Sequence, residues 1–422
     1  MQTVHEALSK PNRASLRFMV RLNAFGVGLA ALWTTVNTII LPERVGDVVS
    51  VGMRGTSLGI ISLIGIGAAA LIQPVAGFLS DRSQLFDRRR PFMVVGAAGV
   101  ALASIGFGLA GHVVVLLVAY LAMQLASNVA QAAFQALIPD LVAAPRRGLA
   151  SGVKNALNVV GIGIGLVGSQ IVFSATDSHS LSLLFLALVL LASAALAWWW
   201  TPLVPPERRS ETGRLWSISD MLSGLLTSSI RAFRQNPLFA RAVLAQFLFL
   251  LGTYPLQCFL LYFLEERFDL TDAALSAGGY LAAGIVLGVI AAPVSGVLSD
   301  QIGRVPVLRW SIFLGAIGLI GVAIAPTLPL AAAAGAVVAV GSGSFLSVNW
   351  ALLSEGIPDG KGAQYYALSN ISTAGASALA GLFGPLADAI AVIVPGGSYP
   401  ITFAIGAGVS LIALWPLRSP SR

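Results

Sequence analysis

The sequence predicts an all-α membrane protein of twelve transmembrane helices, arranged as two six-helix halves. Three observations predict it: a composition unable to cover a water-facing surface, twelve apolar stretches of spanning length, and loop motifs that recur at a nearly constant offset. Charged residues make up 10% of the 422 residues and apolar residues 56%, with a mean hydropathy of +0.85. A soluble domain carries about 25% charged residues because its surface faces water. So few charges place this chain in lipid. Its 45 glycines suit helices that approach one another closely there.

A membrane helix needs about 20 largely apolar residues to cross roughly 30 Å of hydrocarbon. Twelve stretches qualify: 18–41, 55–79, 91–111, 113–138, 150–174, 180–203, 238–264, 273–298, 306–325, 329–353, 363–388 and 399–417. The long connection at 204–237 divides the chain into an N-terminal half (1–203), a cytoplasmic linker and a C-terminal half (238–422). Orientation follows from the basic residues. With the N-terminus inside, 22 of the 25 Lys and Arg face the cytoplasm and Arg44, Arg54 and Arg267 do not. Both termini are therefore expected in the cytoplasm, with the protein in the cell's inner membrane. The same bias accounts for the net charge of +7 without nucleic acid as a partner. Residues 1–17 carry Lys10, Arg13 and Arg17 and lead straight into the first span, unlike a cleavable signal peptide. In the linker, Leu215, Ile218, Leu222 and Leu225 recur at helical spacing near Arg231 and Arg234. That pattern predicts an amphipathic helix on the inner leaflet, with a loose tether as the alternative. The single cysteine, Cys258, lies in an apolar stretch and gives the monomer no disulfide.

The third observation is the repeat. The second span ends in Gly77-Phe-Leu-Ser-Asp81-Arg82 and the eighth in Gly296-Val-Leu-Ser-Asp300-Gln301, with Asp300 lying 219 residues after Asp81. Gln135-Ala-Leu-Ile-Pro-Asp140 likewise matches Trp350-Ala-Leu-Leu-Ser-Glu355, and Asn155 matches Asn370, both at an offset of 215. At these residues the chain resembles the major facilitator superfamily, whose loop between helices 2 and 3 carries Gly, three residues, Asp-Arg and a basic cluster. Here the cluster is Arg88-Arg89-Arg90, and the second half keeps Gly296, Asp300, Gly303 and Arg304. The long spacer before the arginines, followed by Pro91-Phe92, resembles the glycoside–pentoside–hexuronide and sucrose-transporter branch. Asp87 stands where that branch usually has Gly.

The resemblance implies a major facilitator fold and secondary transport by alternating access, with the loop motifs acting in gating. Asp81 at a helix end can accept hydrogen bonds from a neighbouring helix N-terminus and from arginines. Gly77, one turn earlier, would let another helix approach. Together with Arg82, Arg88, Arg89 and Arg90 they are expected to form a latch; the plainer reading makes the arginines topology anchors. A second element, Asp140 followed after six residues by Arg147-Gly148, resembles one carried by sugar porters and predicts an ion pair across the loop between helices 4 and 5. Its counterpart is Glu355 with Lys361. Ordinary surface pairing is the alternative.

Polar residues inside spans are candidates for substrate contact. Gln124, Asn128, Gln131 and Gln135 form one stripe on the fourth span, and Gln246, Thr253 and Gln257 share a face of the seventh beside Tyr254. The first span offers Trp33, Thr34 and Asn37, and the tenth Asn349 and Trp350. Helices 1, 4, 7 and 10 are the cavity-lining set that the resemblance implies. Amides bond hydroxyls as donors or acceptors, and a Trp face stacks on a sugar ring, so the expected substrate is small, neutral and polyhydroxylated. Asn and Gln also join membrane helices to one another, and each residue keeps that alternative. These four spans carry no acid at mid-depth. Uncoupled passage and coupling of a cation through a peripheral carboxylate such as Asp388 therefore both stay open. So do efflux of neutral compounds, for which glycines 161, 163, 165 and 168 are a partial signature, and a non-transporting assembly role. Three histidines and no nucleotide loop or metal cluster predict neither an enzyme nor a cofactor. The default oligomeric expectation is a monomer.

Overall fold

Backbone groups within a bilayer find no water, so each apolar stretch must satisfy its own hydrogen bonds. The computed structural model describes residues 15–82, 87, 89–143, 146–204, 233–270, 273–355, 362–394 and 396–418. Among the described residues there are helices and turns and no strands. A short helix, Leu16–Asn23, opens under a cap from the Ser15 hydroxyl, which accepts from Phe18 N at 3.2 Å. Twelve helices follow. The first, α1 (Phe25–Val48), is α-helical over Phe25–Thr35, π-helical over Val36–Ile40 and α-helical again over Leu41–Val48. The first half continues with α2 (Arg54–Arg82), α3 (Arg90–Gly108), α4 (Val113–Leu141), α5 (Arg147–Thr176) and α6 (His179–Trp200). The second comprises α7 (Pro237–Phe268), α8 (Ala273–Ile302), α9 (Arg304–Ile324), α10 (Leu328–Glu355), α11 and α12 (Ser398–Ile412). α11 is interrupted, running over Gly362–Ala380 and then Phe383–Ile393.

Eleven of these are long and apolar enough to cross a membrane, and α12 is a shorter apolar helix of 15 residues. Chain direction reverses where the sequence supplies stops and caps. Asp177 and Asp269 take left-handed conformations, φ 50° and 49°, to end α5 and α7, as short polar residues tolerate best after glycine. Ser178 and Asn236 cap the helices that follow or come next, accepting from Leu181 N and Phe239 N. The amphipathic helix expected in the linker lies outside the described residues.

By packing, the chain forms two compact units, residues 1–40 with 71–212 and residues 41–70 with 213–422. In the first, α1 packs on α5 and α6, and α3 on α4 and α6. Glycines make the α1–α5 crossing possible: a Cβ at Gly161 or Gly165 would overlap the backbone of Val27 or Ala31. Lipid gives helices no hydrophobic reason to associate, so close backbone approach and dispersion supply the attraction. Three glycines of the efflux-like run thus have a packing role, since a Cβ at Gly168 would overlap the Phe185 ring, whereas a Cβ at Gly163 would meet nothing within 4 Å. In the second unit α10 packs on α8 and α9, and α7 on α11 and α12. Phe249 and Phe345 stack at its core with centroids 4.2 Å apart.

Candidate functional site

Each half carries an arginine clamp at corresponding helix ends. In the first, Arg89 caps α3, and its Nε lies 2.7 Å from Asp140 Oδ2 at the end of α4. Its Nη1 donates to Ser80 Oγ near the end of α2 at 3.0 Å. In the second, Arg304 opens α9, and its Nε donates to Glu355 Oε1 at the end of α10 at 3.0 Å. Its Nη1 donates to Ser299 Oγ near the end of α8 at 2.6 Å and lies 2.7 Å from Asp300 Oδ1. In both halves Nε meets a carboxylate and Nη1 a serine hydroxyl, as a rigid guanidinium fork allows.

These clamps correct the expected pairings. Arg147 does not pair with Asp140; it donates instead to Pro139 O at 2.9 Å and Val142 O at 3.2 Å. The last carbonyls of α4 lack helical partners, and the first residue of α5 is placed to bond them. Glu355 takes Arg304, and Lys361 lies outside the described residues. Among the described residues, a Cβ at Gly77 would meet nothing within 4 Å. The side chains of Asp81 and Arg82, and Arg88 altogether, lie outside the described residues, so the latch expected of them is not visible. Asp87 has a definite role. Fully buried, its Oδ1 accepts from Arg89 N at 2.9 Å and Arg90 N at 3.3 Å, bracing the turn into α3. Arg90 Nε lies 3.0 Å from Asp87 Oδ2 without hydrogen-bond alignment.

The substrate candidates fall into two unlike clusters. In the first unit, Tyr120 of α4 is a hub. Its hydroxyl donates to Asn37 Oδ1 at 2.9 Å and accepts from Gln124 Nε2 at 2.9 Å, and its ring meets Trp33 edge-on at 5.9 Å. Asn37 sits in the π-helical turn, an irregularity frequent at functional sites, beside the buried, unpartnered hydroxyls of Thr35 and Thr38. Asn128 is buried and donates to Gln124 O at 2.8 Å. Gln131 is half-buried. Gln135 accepts from Gln73 Nε2 at 3.1 Å, joining α4 to α2. Asn37 Nδ2, Gln124 Oε1 and Gln131 keep hydrogen-bonding capacity among the described residues.

In the second unit the amide of Gln246 is saturated, while Asn349 Oδ1 is buried without a hydrogen-bond partner. Gln246 Oε1 accepts from Asn349 Nδ2 at 2.8 Å and Ser369 Oγ at 3.2 Å, while its Nε2 donates to Thr373 Oγ1 at 2.6 Å and Ser369 O at 3.4 Å. That uses both donors and both lone pairs of the amide. Asn349, expected to meet substrate, is fully buried in this network and braces α7 against α10 and α11. Tyr254 is half-buried against the core, and Gln257 and Trp350 are exposed. Tyr120 and the π-turn escaped the sequence reading; a Tyr one turn before Gln124 on the same stripe was the available signal.

A further polar cluster sits at the start of α2. Asp388 of α11 accepts from Gly55 N at 3.1 Å and Thr56 N at 2.6 Å, so a carboxylate caps the exposed donors of another helix. α2 and α11 cross here in backbone contact, since a Cβ at Gly59 or Gly384 would overlap the opposite chain. Arg54 lies 3.5 Å from Glu265, and the Tyr262 hydroxyl donates to Pro42 O at 2.6 Å. Among the described residues no group of three or more His, Cys, Asp or Glu is arranged to hold a metal.

No curated protein sequence matches the chain. Among solved structures, a bacterial homolog of the human lysosomal transporter Spinster, inward-facing and unoccupied, matches with TM-score 0.69 and 15% identity, over 97% of this chain and 95% of that one. The nucleoside transporter NupG matches with TM-score 0.72 and 12% identity, over 95% and 98%. A peptide transporter, POT, in complex with sulfate matches with TM-score 0.70 and 13% identity, over 95% and 93%. At these identities the likeness is one of fold. The sequence profile of the Major Facilitator Superfamily matches residues 16–381, most of the chain and both repeats, and on that ground the chain belongs to the Major Facilitator Superfamily.

Proposed function

We propose that the protein is a secondary transporter that moves a small, uncharged, polyhydroxylated solute, such as a sugar or glycoside, by alternating access. The observation that carries this reading is the Trp33–Asn37–Tyr120–Gln124 cluster. It offers an aromatic edge, a hydroxyl and two amides with spare bonding capacity, and no ionised group. Hydroxyls of a neutral solute can both donate to and accept from such a set. Charged residues of α1, α4, α7 and α10 lie within about two turns of the helix ends, where they meet water or headgroups rather than cargo. The long spacer and Arg-Arg-Arg-Pro-Phe run support the sugar-transporting branch, with Asp87 doing by its carboxylate what a Gly would leave to the backbone. Asn349 serves this reading as a brace, while Trp33, Asn37, Gln124, Asn128, Gln131, Tyr254, Gln257 and Trp350 remain the candidate contacts.

Counterflow of a labelled neutral disaccharide panel in proteoliposomes tests the proposal. Exchange of at least one sugar is expected. Tyr120→Phe should lower that exchange by about tenfold, the effect of one buried hydroxyl that bridges two amides. Silence across the panel in folded protein overturns the substrate class, and normal exchange by Tyr120→Phe removes this cluster from the site.

A further inference from the structure

We propose that Lys154 and Asn158, on adjacent turns of α5, form a subsite for a small monovalent anion, separate from the Tyr120 cluster. With Gly161 and Gly165 they make one stripe of α5, the stripe that packs on α1. Ala150, one turn before Lys154, accepts from Asn23 Nδ2 at 3.4 Å. A Cβ at Gly26 would lie 2.8 Å from Asn158 Oδ1 and 3.2 Å from the Phe134 ring. Lys154 therefore stands where α1, α4 and α5 meet. Its Nζ lies 5.3 Å from the Phe134 ring centroid, and Phe134 is about 10 Å of helix short of the end of α4 at Leu141. A lysine that only anchors a helix extends its flexible stem to the headgroups. This ammonium instead lies about two turns inside both helices.

Half-buried at that depth, Lys154 has no carboxylate and no hydrogen-bond acceptor among the described residues. The ring face attracts the ammonium without neutralising it. An uncompensated charge inside a membrane helix is costly, and it marks a position whose partner is supplied from elsewhere. Asn158 adds to the imbalance. Its Oδ1 is turned to Gly26, and its Nδ2 donates to nothing among the described residues. Asn23 Oδ1, at the same crossing, is buried and unpartnered; an amide oxygen can take one donor of an ammonium but none of its charge. A solute hydroxyl has the same shortcoming, whereas a carboxylate or a halide meets both the charge and the donors. Asn37 lies about 16 Å further along α1 than Gly26. One small solute does not reach both places, so the subsite stands or falls independently of the sugar reading.

The test follows thermal unfolding of the full-length protein in neutral detergent, with chloride or acetate replacing methanesulfonate at constant ionic strength. Saturable stabilisation by at least one of the two anions is expected in the wild type and in Lys154→Arg, and its loss in Lys154→Gln. In methanesulfonate alone, Lys154→Gln should unfold at or above the wild-type temperature, because it removes an unpaired charge; that midpoint also shows the variant to be folded. Asn158→Ala should raise the half-saturating concentration about tenfold, the effect of one hydrogen bond to an ion; an unchanged value would overturn the part given to Asn158. Methyl glucuronide and methyl glucoside distinguish the source of the charge. If the glucuronide competes with chloride and the glucoside does not, the anion is a carboxylate carried by a larger solute. If neither competes, it is a free ion. Competition by the glucoside as well would make the ligand a neutral hydroxyl compound and overturn the anion. No saturable effect of chloride, acetate or glucuronide, or an effect that survives in Lys154→Gln, would overturn the subsite.

Discussion

The two arginine clamps share a geometry and differ in burial, and the difference separates architecture from energetics. Arg89 is 3% exposed and Asp140 16%, whereas Arg304 is 25% exposed and Glu355 51%. In both halves the arginine spans the ends of two neighbouring helices, so the repeat preserved connectivity. It did not preserve environment. A buried pair loses hydration on both partners, and removing one leaves the other stranded, at a cost of about 3–5 kcal/mol. An exposed pair is screened by water and contributes under about 1 kcal/mol. The first clamp is thus a structural commitment, and the second is a contact that can open and re-form cheaply.

The largest test of that contrast is charge removal. Arg89→Gln should lower the thermal unfolding midpoint in detergent sharply, by about 3–5 kcal/mol of stability. Arg304→Gln should move it by under about 1 kcal/mol. Equal shifts would mean that burial does not decide the matter. A finer probe exchanges the fork for a point charge. Arg89→Lys should still destabilise by about 1–2 kcal/mol, because one ammonium on a flexible stem does not reproduce the rigid Nε and Nη1 geometry with Asp140 and Ser80. Arg304→Lys should be close to neutral, and a comparable loss at both sites would point to geometry rather than solvation. The smallest effect concerns salt. Raising ionic strength should diminish whatever Glu355→Gln changes in transport rate, since exposed charges are screened within about 10 Å at 0.1 M. The consequences of Asp140→Asn should be insensitive to it.

The polar clusters teach a related lesson. Both were legible as amides on membrane helices, but whether an amide is brace or binding group depends on how many of its bonds the protein itself satisfies. Gln246 has all four filled by Asn349, Ser369 and Thr373. Asn37 and Gln124 share one tyrosine and keep capacity. Spacing along one helix does not count partners on others. The same limit explains the acid–arginine loop: Asp140 and Arg147 are close in sequence, yet α3 delivers Arg89 to the carboxylate and leaves Arg147 to the carbonyls of α4.

By itself the sequence determined that this is a helical membrane protein, where its spans fall, that its halves repeat, and which family it belongs to. All of these follow from properties local to the chain: hydrophobic length against bilayer thickness, and motifs at a constant offset. Tertiary structure alone decided that Tyr120 organises the polar cluster of α1 and α4, that Gln246 is consumed by packing, and that Asp388 caps α2 where glycines let two backbones meet. Hydrogen bonds saturate and charges respond to burial. Both depend on which helices become neighbours, so they are set by the packed molecule and cannot be read from residue spacing.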